Sequence, residues 1–171
     1  MILLLYGVTK SSFLLEWRER LVTRLEKPWY AHYPKEIPAH LNYPDLTVPE
    51  LLRQSAERFG ERVAIKFMGK TLTYSQVYEA ALRLARSLVH LGIKPGDRVA
   101  VMLPNCPQYV IAYYGTMLAG AIVVQTNPLY VERELREQLN DAGAKSIIAL
   151  DLFYSKVLNV LPETPPLEHV I

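Results

Sequence analysis

The sequence predicts an α/β protein, a layered and mostly parallel sheet with flanking helices, and three observations carry that expectation. The stretch from Arg98 to Tyr130 runs for thirty-three residues with Arg98 as its only charged residue. Pro104, Pro107, Gly120 and Asn127-Pro128 interrupt it, whereas a membrane helix needs about 20 apolar residues in one unbroken run. From Arg98 onward, short apolar runs also alternate with segments of helical period, the pattern of parallel strands joined by helical crossovers.

Each element follows in order. Residues 1 to 26 read as a leader and an amphipathic helix. "MILLLYGVTK" has no basic residue before its apolar run, which is shorter than a signal-peptide core. Phe13, Leu14, Trp17, Leu21 and Leu25 then share one helical face. That face docks on the protein's own domain, on a second subunit or on a membrane surface. Residues 27 to 46 contain Pro28, Pro34, Pro38 and Pro44 among many aromatics and read as an extended arm whose rings dock on a neighbouring surface.

Residues 47 to 171 form the α/β unit, which is expected to be truncated at its carboxyl end. Thr47 and Glu50 suggest a capping box, and Gly60 a left-handed stop. "VAIKFMGKTLTY" reads as a hairpin turning at Gly69-Lys70 in a type II′ turn. Thr73 and Gln76 begin a second capped helix that closes at Gly92, and "KPGD" makes a turn. "DRVAVMLP" and "AIVVQT" read as strands covered on both faces. Between them lies an apolar helix over Gln108 to Leu118, with Asn105 as its cap and Pro107 in its first turn. Val131, Leu135, Leu139 and Ala142 mark a helix stopped by Gly143, followed by the strand "SIIAL" and a helix from Asp151. The final "EHVI" reads as the opening of another strand, so the chain is expected to be a fragment of a longer one.

Composition narrows the function. Nineteen basic against seventeen acidic residues leave a formal charge of +2, too little to demand nucleic acid or an anionic membrane. One cysteine, Cys106, allows no internal disulfide, which favours a reducing, cytoplasmic setting. All eight glycines are accounted for by the leader, caps, turns and a helix interior, so none is left for a phosphate cradle. Cys106 lies in the first turn of a helix, where a dipole lowers a thiol pKa, but no His or Lys is near it in sequence. His32, His40, His90 and His169 fit structural or solvated roles, and Arg133, Arg136, Glu137 and Asp141 fit an ordinary solvated helix face.

The segments "GDRVAVMLPNCPQY", "GAIVVQTNPLY" and "EREL..QLNDAGA", in that order, resemble the amino-terminal part of the acyl-adenylate-forming, AMP-binding enzymes. Within that superfamily they look most like bacterial long-chain fatty-acid:CoA ligases, as does "KPWYAHYP". The resemblance covers roughly residues 27 to 171. It implies the amino-terminal subdomain of the acyl-adenylate-forming fold. The implied enzyme joins a fatty acid to ATP, with Mg, as acyl-adenylate, releases pyrophosphate and passes the acyl group to CoA, leaving AMP. Aryl or medium-chain ligases share the pattern, and a stand-alone dimerisation or binding module is the rival from another class.

The family's reaction centre comprises a Ser/Thr/Gly-rich loop ending in Pro-Lys, a Tyr-Thr-Glu region, a ribose-binding Asp and a catalytic Lys. None of these occurs here, so no catalytic residue carries over and the chain alone is expected to be an inactive scaffold. Asn127 and Pro128 correspond to a loop near the CoA nucleotide in relatives, or else form a plain strand-to-helix turn. The resemblance further implies a homodimer through the amino-terminal region and peripheral membrane association.

Overall fold

The structure, a computed structural model, describes residues 28–38 and 40–171; the amphipathic helix expected before residue 27 lies outside them. The chain divides into a unit ending at Pro44 and a unit from Asp45 to Ile171. In the first unit, the arm is not extended throughout: Pro28–His32 winds into a 3-10 helix. A proline at the start of a helical turn sacrifices no hydrogen bond, because the first N–H groups have no partner there. The Tyr30 ring lies edge-on to Trp29, Tyr33 and His40 at 6.2, 5.3 and 5.7 Å. Trp29, Tyr33 and His40 thus gather around one ring, that of Tyr30.

The second unit begins with α1 (Val48–Phe59), capped by Thr47, whose hydroxyl accepts the Glu50 N–H at 3.4 Å. The capping box is only half made. Glu50 turns instead to Arg53, and hydrogen bonding to that guanidinium holds the carboxyl below the usual range. Gly60 also departs from expectation, since its φ of −46° is right-handed. A Cβ there would lie 2.5 Å from Ser75 Oγ and 2.8 Å from the Ala56 carbonyl oxygen. Close approach, not backbone freedom, requires this glycine.

Strands β1 (Val63–Phe67) and β2 (Lys70–Thr73) form the antiparallel hairpin. Its turn is Met68-Gly69, with φ of 46° and 78°, so positive φ at both central positions makes it type I′ rather than II′. Helix α2 (Tyr74–His90) opens with a complete capping box: Gln76 N–H donates to Thr73 Oγ1, and Thr73 N–H donates to Gln76 Oε1. Gly92, at φ +88°, ends the turn after it.

Next come β3 (Arg98–Met102), α3 (Pro107–Leu118), β4 (Ile122–Gln125), α4 (Glu132–Ala142) and β5 (Ala144–Ala149). A 3-10 turn over Asp151–Phe153, α5 (Tyr154–Val160) and β6 (His169–Val170) complete the described chain. Cys106, not Asn105, is the boundary residue of α3, because the proline after it forces extended backbone. Val131 precedes α4 instead of joining it, and its N–H donates to the Glu134 carboxylate at 3.0 Å.

The larger sheet has the order β4-β3-β5-β6, with every pairing parallel. One face packs Val99, Val101 and Ile148 against Ala85 and Leu88 of α2 and Ala112 of α3. The other packs Ala100, Met102 and Ile147 against Leu135 and Leu139 of α4 and Val157 and Val160 of α5. The charge-poor middle of the sequence is thus strand, helix, strand in a three-layer stack, at about 1.5–3 kcal/mol for each large apolar side chain buried. The expectation that both strands are covered on both faces holds for β3 and not for β4. As the sheet edge, β4 leaves Ile122 half exposed. Leu52 of α1, Ile65 and Leu72 of the hairpin and Val110 of α3 form a third cluster with Val77 and Ala81 of α2.

Candidate functional site

Strand order locates the site. From β3 the chain crosses over one face through α3 to β4, and from β5 it crosses over the opposite face through α5 to β6. Neighbouring strands β3 and β5 therefore send their carboxyl-end loops to opposite sides. In open α/β sheets that divergence is where ligands bind. Residues 103–106 and 150–153 flank it, and residues 126–131 run alongside from the end of β4.

The segment following β4 is tightly held. Asn127 Oδ1 accepts the Leu129 N–H at 3.0 Å, and the Asn127 carbonyl accepts the Tyr130 N–H at 3.1 Å, giving an Asx turn inside a backbone turn. Thr126 Oγ1 donates to the Val124 carbonyl at 3.2 Å, and Tyr130 packs against the α4/α5 side of the core. Lys156 of α5 donates to the carbonyl oxygens of Pro128, at 3.4 Å, and of Tyr130. Asn127 and Pro128, singled out in the sequence, are thus brought to the carboxyl end of the sheet. Lys156 was not visible as the partner of Pro128 and Tyr130, because the contact crosses from one βα unit to another.

The other residues weighed in the sequence are scattered. Cys106 is half-buried at the start of α3, His90 ends α2, and His40 lies against Tyr30. His169 stands opposite Ser146 in the β5–β6 register, 3.9 Å from Glu168. Arg133 pairs with Glu137 at 3.5 Å on the solvated face of α4, whereas Arg136 reaches across to Glu163 at 2.9 Å. At the opposite end of the sheet, Lys145 Nζ meets Asp97 at 3.3 Å, Glu168 at 3.7 Å and the Gly92 carbonyl at 3.2 Å. That cluster joins loops at the amino ends of the strands, away from the divergent pair.

Among the described residues no group of three or more His, Cys, Asp and Glu side chains could hold a metal ion. The glycines with positive φ, at 69, 92, 96, 120 and 143, sit singly in turns and helix stops, so none forms a phosphate cradle. Among the described residues, too, no helix is long and apolar enough to cross a membrane.

A family model described as AMP-binding enzyme matches residues 52–171. Over 135 residues the chain is 53% identical to a long-chain-fatty-acid–CoA ligase of Bacillus subtilis (strain 168), covering 79% of this chain and 24% of that protein. A long-chain-fatty-acid–CoA ligase of Salmonella typhimurium is 41% identical over 150 residues, 86% of this chain and 26% of its own. A long-chain-fatty-acid-CoA ligase structure from Archaeoglobus fulgidus superposes with a TM-score of 0.73 at 28% identity, over 81% of this chain and 29% of the other. The chain therefore spans about a quarter of the length of the curated relatives it matches. The family match over residues 52–171 and the identity to these relatives place this chain, with its parallel three-layer architecture, in the AMP-binding enzyme family.

Proposed function

We propose that this chain is the amino-terminal scaffold of an AMP-forming long-chain fatty-acid:CoA ligase, and that by itself it does not catalyse adenylation. The observation that carries the reading is the 53% identity to such a ligase over most of this chain. The complete enzyme would form an acyl-adenylate from fatty acid and ATP with Mg, release pyrophosphate, and transfer the acyl group to the CoA thiol. In this scaffold α2 and α3 back one face of the sheet and α4 and α5 the other, which holds the loops at its carboxyl end in place. Asn127 and Pro128 belong to the face that meets the CoA nucleotide. Their turn at the end of a parallel strand, with Asn127 exposed and Pro128 half-buried, suits that role.

Two measurements test this. The complete polypeptide containing these residues should release pyrophosphate with long-chain acids in preference to aryl or medium-chain acids, and the reverse order would replace the substrate class. The 171-residue chain alone should release none from ATP and palmitate. Release above a no-enzyme control would overturn the scaffold reading.

A further inference from the structure

The hairpin of β1 and β2 turns on a residue that its geometry does not favour. Met68 and Gly69 take φ of 46° and 78°, the left-handed pair of a type I′ turn, which asparagine, aspartate and glycine adopt with least strain. A methionine in the first of these positions is held there against local preference, and backbone strain of this kind points to a use for the side chain. Packing is not that use. Met68 is 88% exposed at the tip, and Lys66, Phe67, Gly69 and Lys70 around it are exposed as well.

What the side chain offers there is a thioether, whose sulfur takes up one oxygen atom from a peroxide at a rate that follows its access to solvent. The three methionines among the described residues span the whole range of access. Met68 is open, Met117 of α3 is half-buried, and Met102 of β3 is fully buried. A sulfoxide at Met102 would force a polar group between the sheet and Leu135, Leu139 and Val157, whereas at Met68 it meets solvent. Met68 also stands on the rim of a groove of about 370 Å³ whose walls include Ile65, Phe67 and Leu72. Oxidation at the tip therefore turns an apolar rim polar and leaves the core beneath untouched.

We propose that Met68 is a reversible oxidation site, with hydrogen peroxide as the oxidant. The sulfur lone pair attacks one peroxide oxygen, the O–O bond breaks and the S–O bond forms. The departing hydroxide takes the proton of the S–OH group and leaves as water, so sulfur is oxidised to the sulfoxide and the peroxide is reduced. A sulfoxide reductase supplied with thiols reverses the change: two thiols become a disulfide, the oxygen leaves as water and the thioether returns. The projecting tip gives such an enzyme access to the sulfur.

The test treats the complete polypeptide containing these residues with hydrogen peroxide at neutral pH and reads each methionine by mass spectrometry after digestion. Met68 should gain oxygen at least about tenfold faster than Met117, and Met102 should stay unmodified until urea unfolds the protein. The urea midpoint should be the same before and after Met68 is oxidised, and the two epimer-specific methionine sulfoxide reductases with dithiothreitol should return Met68 to its starting mass. Met68→Asn, which suits the turn, should raise the urea midpoint; a fall would show that the methionine is held there for packing and would overturn the proposal. Equal rates at Met68 and Met117, a midpoint that drops as Met68 oxidises, or a sulfoxide that the reductases leave in place would each overturn it as well.

Discussion

Gly115 lies in the middle of α3, where replacing glycine by alanine ordinarily adds about 1 kcal/mol of helix stability. Here the sign should reverse. A Cβ at this position would lie 2.9 Å from Leu84 Cδ2, 3.0 Å from Leu84 Cβ and 3.0 Å from the Ala81 carbonyl oxygen. The leucine methyl can swing aside, but the Ala81 carbonyl belongs to the backbone of α2 and moves only if the whole helix does. Overpacking of this kind costs about 1–3 kcal/mol, so Gly115→Ala should lower the urea midpoint of unfolding. A midpoint equal to or above that of the parent would mean that α2 and α3 are further apart than described. Gly60 makes the same point from another direction: its spacing reads as a helix stop, yet its φ is right-handed and its lack of a side chain serves Ser75 and Ala56. Local sequence reveals where glycine stands but not what approaches it, because the approaching atoms come from distant positions.

At the level of elements, the amino ends of β3, β5 and β6 are joined by one lysine. Lys145, on β5, contacts Asp97 before β3, Glu168 before β6 and the Gly92 carbonyl after α2. Asp97 also accepts the Lys94 N–H at 2.8 Å. That backbone hydrogen bond, then the Lys145 hydrogen bond and charge, hold its carboxyl below the ordinary aspartate range. A depressed folded-state pKa stabilises the fold above the unfolded value and loses that contribution as pH falls through the folded one. The parent should therefore exceed Asp97→Asn in stability at neutral pH. The gap should persist down to the ordinary aspartate pKa of about 3.9 and close below it. Urea midpoints across that range decide the matter, and a gap that widens on acidification would contradict the assignment. Turn and cap chemistry of this kind was legible beforehand: "KPGD", the Thr73/Gln76 box and Gly143 all fall where the spacing puts them. The role of Lys145 was not, since it depends on which strands are neighbours.

For the whole molecule, the parallel sheet and its alternating crossovers were readable from periodicity, but the order β4-β3-β5-β6 was not. That order decides both where the candidate site lies and where the surface is vulnerable. It sets β3 and β5 side by side with diverging loops, and so assigns a site to loops that contain no glycine-rich phosphate motif. It also leaves β4 at an edge. Neither β4 (IVVQ) nor α3 beside it (PQYVIAYYGTML) carries a charged side chain, and Ile122 stands 52% exposed on that margin. Edge strands of soluble proteins are usually guarded by lysine, proline or a bulge, because unpaired backbone groups next to apolar side chains template association with another strand. None of these guards lies within β4. The 171-residue chain should therefore self-associate with increasing concentration, and Ile122→Lys, which places a charge on the exposed margin without touching the buried faces of β3 or β5, should suppress it. Light scattering after size exclusion, over a wide concentration range, reads this directly. A parent chain that stays monomeric throughout would show that the β4 edge is protected by some other part of the protein.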